Sequence, residues 1–559
     1  MRFSSSIFLL TLLWAFLSCD EPQGMAPDVQ EPSQDTEDIL PPSHEDEESS
    51  KDYEMLDFSY AGFMRSECAP PDASLTGYTV VDVTNFGAVP NDGKSDREAF
   101  LNAIARATGQ NYTIDNNGWI VFNHKEKANA VIYFPEGEYI LHTKDDDVNG
   151  VSRSIQIRSG NLIIRGAGRD KTTLIMADPN QPKDVSQLYS SPDMIQIKHN
   201  STHASFSPSV IAAEGIVKGS HKVKVNTTAP LSSGDWVCLY LKNTSPELIS
   251  AQVAPYQAQA HWAIVKSGVE IIDYHQIKSI SNNEITFHAP LMYDIPEGYE
   301  VEIRTYPHYS NVGVEDLTFR GYAKSDFTHH GTWQDDGAYK PISFNRLTDS
   351  WIRRVAFVST SEACSIINSA NVSAYDIEFR GNRGHSSVRS QSSSRVLIAG
   401  TDDLTSDGLG NFHGVGVSRQ SVGTVLYKNC WGDDSCFESH ATQPRATLID
   451  CCKGGWHRGH QGGDSDQVPH HLSDLVIWNF YATSASDSGN FMWWDDSVTW
   501  WKFLPPYIGG FKPEGMVNFA EGQYIKMDIG DVESLFTKQL SERLGGLPTW
   551  ITEIDYKQQ

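Results

Sequence analysis

Short segments that alternate apolar and polar residues recur through the second half of the chain: Val314–Phe319, Ile352–Phe357, Ala374–Phe379, Val425–Cys430, Thr447–Cys452 and Leu475–Phe480. Most neighbours are about 22 to 28 residues apart, or nearly twice that where no intermediate copy is visible, which is the period of one coil in a solenoid. A single coil cannot bury its own apolar face, so each must stack on the next. Ahead of the array, Tyr78–Ala107 ends in a helical pattern around Phe100 and Ile104, placed to close the end of the solenoid. Between Ala177 and Pro307 the rhythm fails. Val217–Val225 and Leu231–Leu239 read there as strands around a turn, so a β subdomain is expected as an insertion at about 178–307. Its Trp236, Tyr240, Tyr256 and Trp262 can stack on sugar rings or form its own core.

The opening of this region, Val83-Thr-Asn-Phe-Gly-Ala-Val-Pro-Asn-Asp-Gly-Lys-Ser-Asp96, closely resembles the start of pectate-lyase-like β-helix proteins, a superfamily that includes polygalacturonases and polysaccharide lyases. Val131–Ile140 and Leu162–Gly168 fit its first coils. The resemblance implies an all-β chain folded as a right-handed parallel β-helix over residues 55–559, with the insertion and an N-terminal capping helix. It says little about chemistry, because one scaffold hosts many reactions.

The chain begins with an apolar run, Ile7–Leu17, behind the single basic residue Arg2, too short and weakly flanked for a stable membrane span. With Ser18-Cys19 it resembles the lipobox of bacterial lipoproteins, which implies a signal peptide over 1–19 and acylation of Cys19. Residues 20–54 are Asp, Glu, Pro and Ser with few residues able to build a core, the composition of a disordered tether. An acidic run behind an acylated cysteine resembles the surface-export signal of Bacteroidota lipoproteins. The expected location is therefore the outer membrane or cell surface, reached by export, with membrane contact through the lipid alone. The net charge of −27 argues against nucleic acid as a partner, since phosphate binding needs a basic footprint. The expected partner is an anionic polysaccharide, and the chain is expected to be a monomer. Of the remaining cysteines, Cys430 and Cys451 lie about one repeat apart, which suits either a disulfide between stacked coils or two buried small apolar residues.

Aligning the coils puts Lys340–Asn345, Cys364–Ser369, Ser386–Gln391, His413–Val417 and Cys436–His440 on one lateral sheet, followed by Trp456–His460. Residues two apart on a strand share a face. With Val388, Phe412 and Phe437 inward, Arg389, His413, Glu438, His440, Arg458 and His460 point outward as one strip, the candidate catalytic surface. Glu438, Arg383, Arg445, Trp456 and Gln461 are the candidate substrate-binding residues, while His457 falls on the inward side. Arginine predominates among the basic residues between Arg346 and Arg458, and its planar fork matches carboxylate and sulfate oxygens.

Two reactions compete for such a strip. Elimination from a uronate needs its carboxylate neutralised, a base at C5 and an acid for the leaving oxygen. Arg389 or Arg458 can neutralise, His440 can be the base, and His460 or His413 the acid. Hydrolysis needs paired carboxylates. Thr405-Ser-Asp-Gly408 and Gly432-Asp-Asp434 loosely resemble the aspartate motifs of polygalacturonases, but the asparagine before the first aspartate and the downstream arginine-lysine motif are absent. Asp433 and Asp434 are also candidate Ca²⁺ ligands; no other cofactor is expected. The Trp-rich C-terminal block, from His470 through Phe503-Leu-Pro-Pro506, resembles an uncharacterised-domain pattern of Bacteroidota surface polysaccharide degraders, ulvan-lyase-like enzymes among them. That resemblance implies a lyase acting on a sulfated, uronate-containing polymer. A glycoside hydrolase and a non-catalytic glycan-binding surface protein are the alternatives.

Overall fold

A computed structural model describes residues 55–201, 209–440, 442–485, 490–515 and 517–556. The leader, Cys19 and the acidic tether lie outside the described residues.

The chain from Asp57 onward winds as a right-handed parallel β-helix. A 15-stranded sheet includes, in order, Ser159–Gly166, Val312–Arg320, Leu347–Val358, Ala370–Arg380, Leu397–Asp403, Val425–Tyr427, Thr447–Asp450 and Leu475–Trp478. These strands pair in parallel with one coil per step. A nine-stranded sheet forms the neighbouring face and ends in Ile195–Lys198, Ile342–Asn345, Glu362–Ile367, Ser386–Gln391, Gly416–Ser418 and Glu438–His440. The periodicity expected from the sequence is therefore real. Its unseen copy is Leu397–Asp403, which aligns with Ser373–Phe379.

Each coil turns its corners at residues in the left-handed region. One corner stacks Asp316, Arg354, Asp376, Gly400, Lys428, Cys451 and Asn479, with φ between 47° and 60°. Such φ values are uncommon outside glycine, and their repetition at one register marks a corner that the stacking imposes. Inside, apolar residues align coil on coil, as in the ladder Phe319, Phe357 and Phe379, whose rings stack at 5.6 and 6.0 Å. Helix Arg97–Thr108 buries Phe100 and Ile104 completely, with Phe100 5.4 Å from Phe134. At the other end the core continues through Trp456, Phe491, Trp493, Trp501 and Phe503.

The insertion is a six-stranded antiparallel sheet whose strands run from Ser209–Ile211 to Glu302–Thr305. Ile195–Lys198, inside the range that the sequence set aside for it, belongs instead to the helix and pairs with Ile342–Asn345. Trp236 helps form the insertion's core, and Trp262 is fully buried. Tyr240 lies under Arg304 at 3.8 Å, and Tyr256 stacks on Trp494 at 4.0 Å. The insertion docks through a buried carboxylate: Asp273 accepts from Arg395 at 2.9 Å and Ser394 at 2.7 Å. The described cysteines are all free thiols, so Cys430 and Cys451 are buried apolar residues rather than a crosslink. Their register explains it, since Cys430 aligns with Lys453 and not with Cys451.

Candidate functional site

The nine-stranded sheet aligns Ser343, Ser365, Arg389, Gly416 and Glu438 in one row. Their neighbours Ile342, Cys364, Val388, Val417 and Phe437 fill the core. A Cβ on Gly416 would sit 2.2 Å from the Glu438 carbonyl oxygen. With no side chain there, Arg389 reaches across that coil to Glu438, with Nη1 3.0 Å from Oε1. Arg389 also lies 3.4 Å from Glu362, which Lys340 meets at 3.4 Å, and Lys340 lies 3.7 Å from Asp193. The result is a column of alternating charge. Burial opposes ionisation of Glu362, but Lys340 and Arg389 outweigh it and hold its pKa at about 2. Arg389 is thus committed to two carboxylates and is not a free receptor for a third.

Beside the column stand His413, His440 and His460. Burial is the main cause that lowers all three, to about 3, 3 and 4 respectively, so each is neutral at ordinary pH. His413 Nδ1 lies 2.5 Å from the His460 carbonyl oxygen. A neutral ring must donate from Nδ1 there, which leaves Nε2 as an acceptor. Neither His413 nor His460 holds the second proton that an acid role at neutral pH would require. His440, at the end of Glu438–His440, is partly exposed and neighbours His470 at 6.1 Å.

Arg419 is the residue that the sequence reading passed over. It follows the strand Gly416–Ser418 at a corner with φ 57°, and its backbone N–H donates to the His440 carbonyl at 3.0 Å. Its side chain is exposed and makes no ion pair among the described residues. Desolvation of the guanidinium, and after it the Arg389 charge, push its pKa below the usual value.

Several expected site residues lie elsewhere. Trp456 is fully buried and ringed by Phe437, Phe480 and Trp493. Its strand, Lys453–Trp456, pairs with Tyr481–Ala485 in a separate three-stranded sheet, so Trp456–His460 does not extend the strip. Gln461 is fully buried, with its amide 3.1 Å from Cys436 Sγ. Arg445 is buried beneath the insertion, 2.8 Å from Gln252 and over Tyr293. Arg458 pairs with Asp495 at 2.7 Å and lies near Trp500. Phe412, expected inside, is partly exposed, with His329 stacked on it at 3.7 Å and His460 at 4.0 Å. His457, also expected inside, reaches the Asp433 carbonyl at 2.6 Å.

Asp433 and Asp434 turn to different partners: Asp433 accepts from Thr483 at 2.6 Å, whereas Asp434 takes Arg383 at 2.7 Å. Asp433 instead lines a polar cavity of about 310 Å³ with Lys453, Tyr481 and Glu514. Asp407 is exposed in the turn Thr405–Gly408. Nearer the strip, His329 and His330 approach His385, and one ligating atom from each lies within 4.8 Å of the others.

His470 and His471, fully buried behind the strip, are lowered by burial to about 4. The unfolded chain, with an ordinary value near 6.5, binds protons that the folded chain refuses. Stability is therefore complete above about pH 6.5 and falls toward pH 4, by about 1.4 kcal/mol per pH unit for each histidine. The urea midpoint should drop between pH 7 and pH 5, and less in a His471→Asn variant; a midpoint independent of pH would contradict the assignment.

A family model described as a domain of unknown function, DUF4955, matches residues 410–554, which take in His413, His440 and the Trp-rich end. No curated protein matches the chain. Among solved structures, the tailspike gp61 of Pseudomonas phage phi297 is 10% identical with a TM-score of 0.33, covering 80% of this chain and 82% of that one. The Streptococcus pneumoniae surface adhesin PfbA is 10% identical with a TM-score of 0.33, covering 79% and 80%. The A-module of the Azotobacter vinelandii mannuronan C-5 epimerase AlgE4 is 12% identical with a TM-score of 0.29, covering 80% and 93%. At these values the fold rests on the strand register itself.

Proposed function

We propose that this chain is a polysaccharide lyase of the cell surface that cleaves a uronate-containing, sulfated polymer of the ulvan type by β-elimination. The observation that carries the reading is the adjacency of Arg419 and His440: an exposed cation without an ion pair among the described residues beside a histidine held neutral. Arg419 receives the uronate carboxylate and draws off the charge that builds up as the C5–H bond breaks. His440 accepts the C5 proton, the C4–O bond breaks, and the departing oxygen takes a proton from water. The Arg389–Glu438 pair is a positioning element that fixes the strand bearing His440.

A second reading has its own observation. Asp433 and Glu514 line one polar cavity, and hydrolysis uses paired carboxylates. Kinetics on anionic algal and plant polysaccharides separate the two. Arg419→Ala should raise KM about tenfold or more with little change in melting, because an exposed arginine contributes binding rather than packing. An unchanged KM in Arg419→Ala together with loss of cleavage in Asp433→Asn would move the chemistry to the cavity. Sugar binding without cleavage would make the chain a glycan-binding protein.

A further inference from the structure

We propose that His329, His330 and His385 form a binding site for one divalent metal ion of the zinc class, pinning the segment 324–336 to the strip. His385 immediately precedes the strand Ser386–Gln391, so the helix holds it rigidly. His329 and His330 arrive from a long loop between coils, just before the short helix Trp333–Asp336. Consecutive residues ordinarily direct their side chains apart, but His330 sits at φ 57°, and the two rings come within 3.5 Å of each other. A strained backbone that gathers three imidazoles is a feature to explain.

The nitrogens themselves point to an ion. His329 Nε2 and His385 Nε2 are buried and have no hydrogen-bond partner, and His385 is only 5% exposed. Buried polar atoms are normally satisfied, so these two lone-pair positions call for an acceptor of electrons that the protein itself does not supply. His330 Nδ1 lies 3.1 Å from the fully buried Asp336 carboxylate, the outer carboxylate that orients a metal-bound histidine, and the Tyr189 hydroxyl, 3.1 Å from Nε2, must turn aside for that nitrogen to bind the ion. Three imidazoles select zinc and its first-row neighbours over calcium or magnesium, which prefer oxygen. Bonds of the usual zinc length put ligand nitrogens about 3.3 Å apart, so the 4.8 Å spread must contract as the loop closes on the ion. The fourth position is left to water or to an oxygen of a bound sugar.

The test uses the full chain, stripped with EDTA, dialysed and titrated with ZnCl₂ by calorimetry, with metal content read by mass spectrometry. One equivalent should bind and raise the melting temperature. His329→Ala and His385→Ala should weaken binding at least a hundredfold, Asp336→Asn by about 10- to 100-fold, and His124→Ala, an exposed histidine, not at all. The visible spectrum of the Co²⁺-loaded wild type reads the ligands without any substitution, so a misfolded variant does not decide the matter. Tetrahedral bands without thiolate charge transfer are expected. No stoichiometric zinc, or a thiolate band that places the ion on the exposed Cys68, would overturn the site. None of these readouts involves turnover, so the metal site and the lyase reading stand or fall separately.

Discussion

Replacing His440 by alanine is expected to lower kcat on a cleavable uronate polymer by about 10²- to 10⁴-fold, the range that one positioned acid–base group supplies. KM should change little, since the polymer is held by Arg419 and its neighbours. The unfolding free energy should move by no more than ~1 kcal/mol, because the ring stands partly exposed at a strand end rather than in the core. Burial holds His440 at about 3, with Glu438 opposing and His470 reinforcing that shift. It is therefore unprotonated across the neutral range, and the loss in His440→Ala should persist at every pH from 6 to 9. Turnover within threefold of wild type would remove His440 from the chemistry.

Replacing Arg389 by methionine should reduce both activity and stability, and the stability loss is the larger effect. Glu438 is 1% exposed and Glu362 7% exposed, so removing the guanidinium between them leaves two buried carboxylates short of a partner. Breaking a buried pair from one side costs about 3–5 kcal/mol. The double variant Arg389→Met with Glu438→Gln should recover a good part of that loss, because the orphaned charge is gone. Activity should stay low in both, since the strand carrying His440 loses its side-chain tie to the coil two steps away. A double variant no more stable than Arg389→Met would show that the column is not energetically coupled.

The fold was readable because stacking repeats one apolar pattern at one register, and five strands of the candidate sheet were placed within a few residues of their observed bounds. The coil that escaped notice, Leu397–Asp403, breaks the pattern chemically. Asp403 stands where its neighbours carry Phe357 and Phe379, and its carboxylate is occupied by Thr405 and the Asn411 backbone. The site was less legible, for reasons of distance along the chain. Nothing near Arg445 reveals that Gln252 and Tyr293 of the insertion cover it. Trp456 looks like a sugar platform until the separate sheet turns it inward. His329 and His330 sit in the gap between two recognised repeats, where no period places them beside His385. Arg419 was one arginine among many. What sets it apart is its exposure, together with the pairing of Arg389, Arg383, Arg458 and Arg395 to Glu438, Asp434, Asp495 and Asp273.

The most direct test of the central claim is the ultraviolet absorbance of the products. Elimination at C4–C5 leaves a double bond conjugated with the uronate carboxylate, whereas hydrolysis adds water and makes no such chromophore. Wild-type protein incubated with a sulfated uronate polymer should generate absorbance in step with new reducing ends, and His440→Ala should generate neither. New reducing ends without absorbance, undiminished in His440→Ala, would contradict the account and assign the cleavage to hydrolysis at the Asp433 cavity.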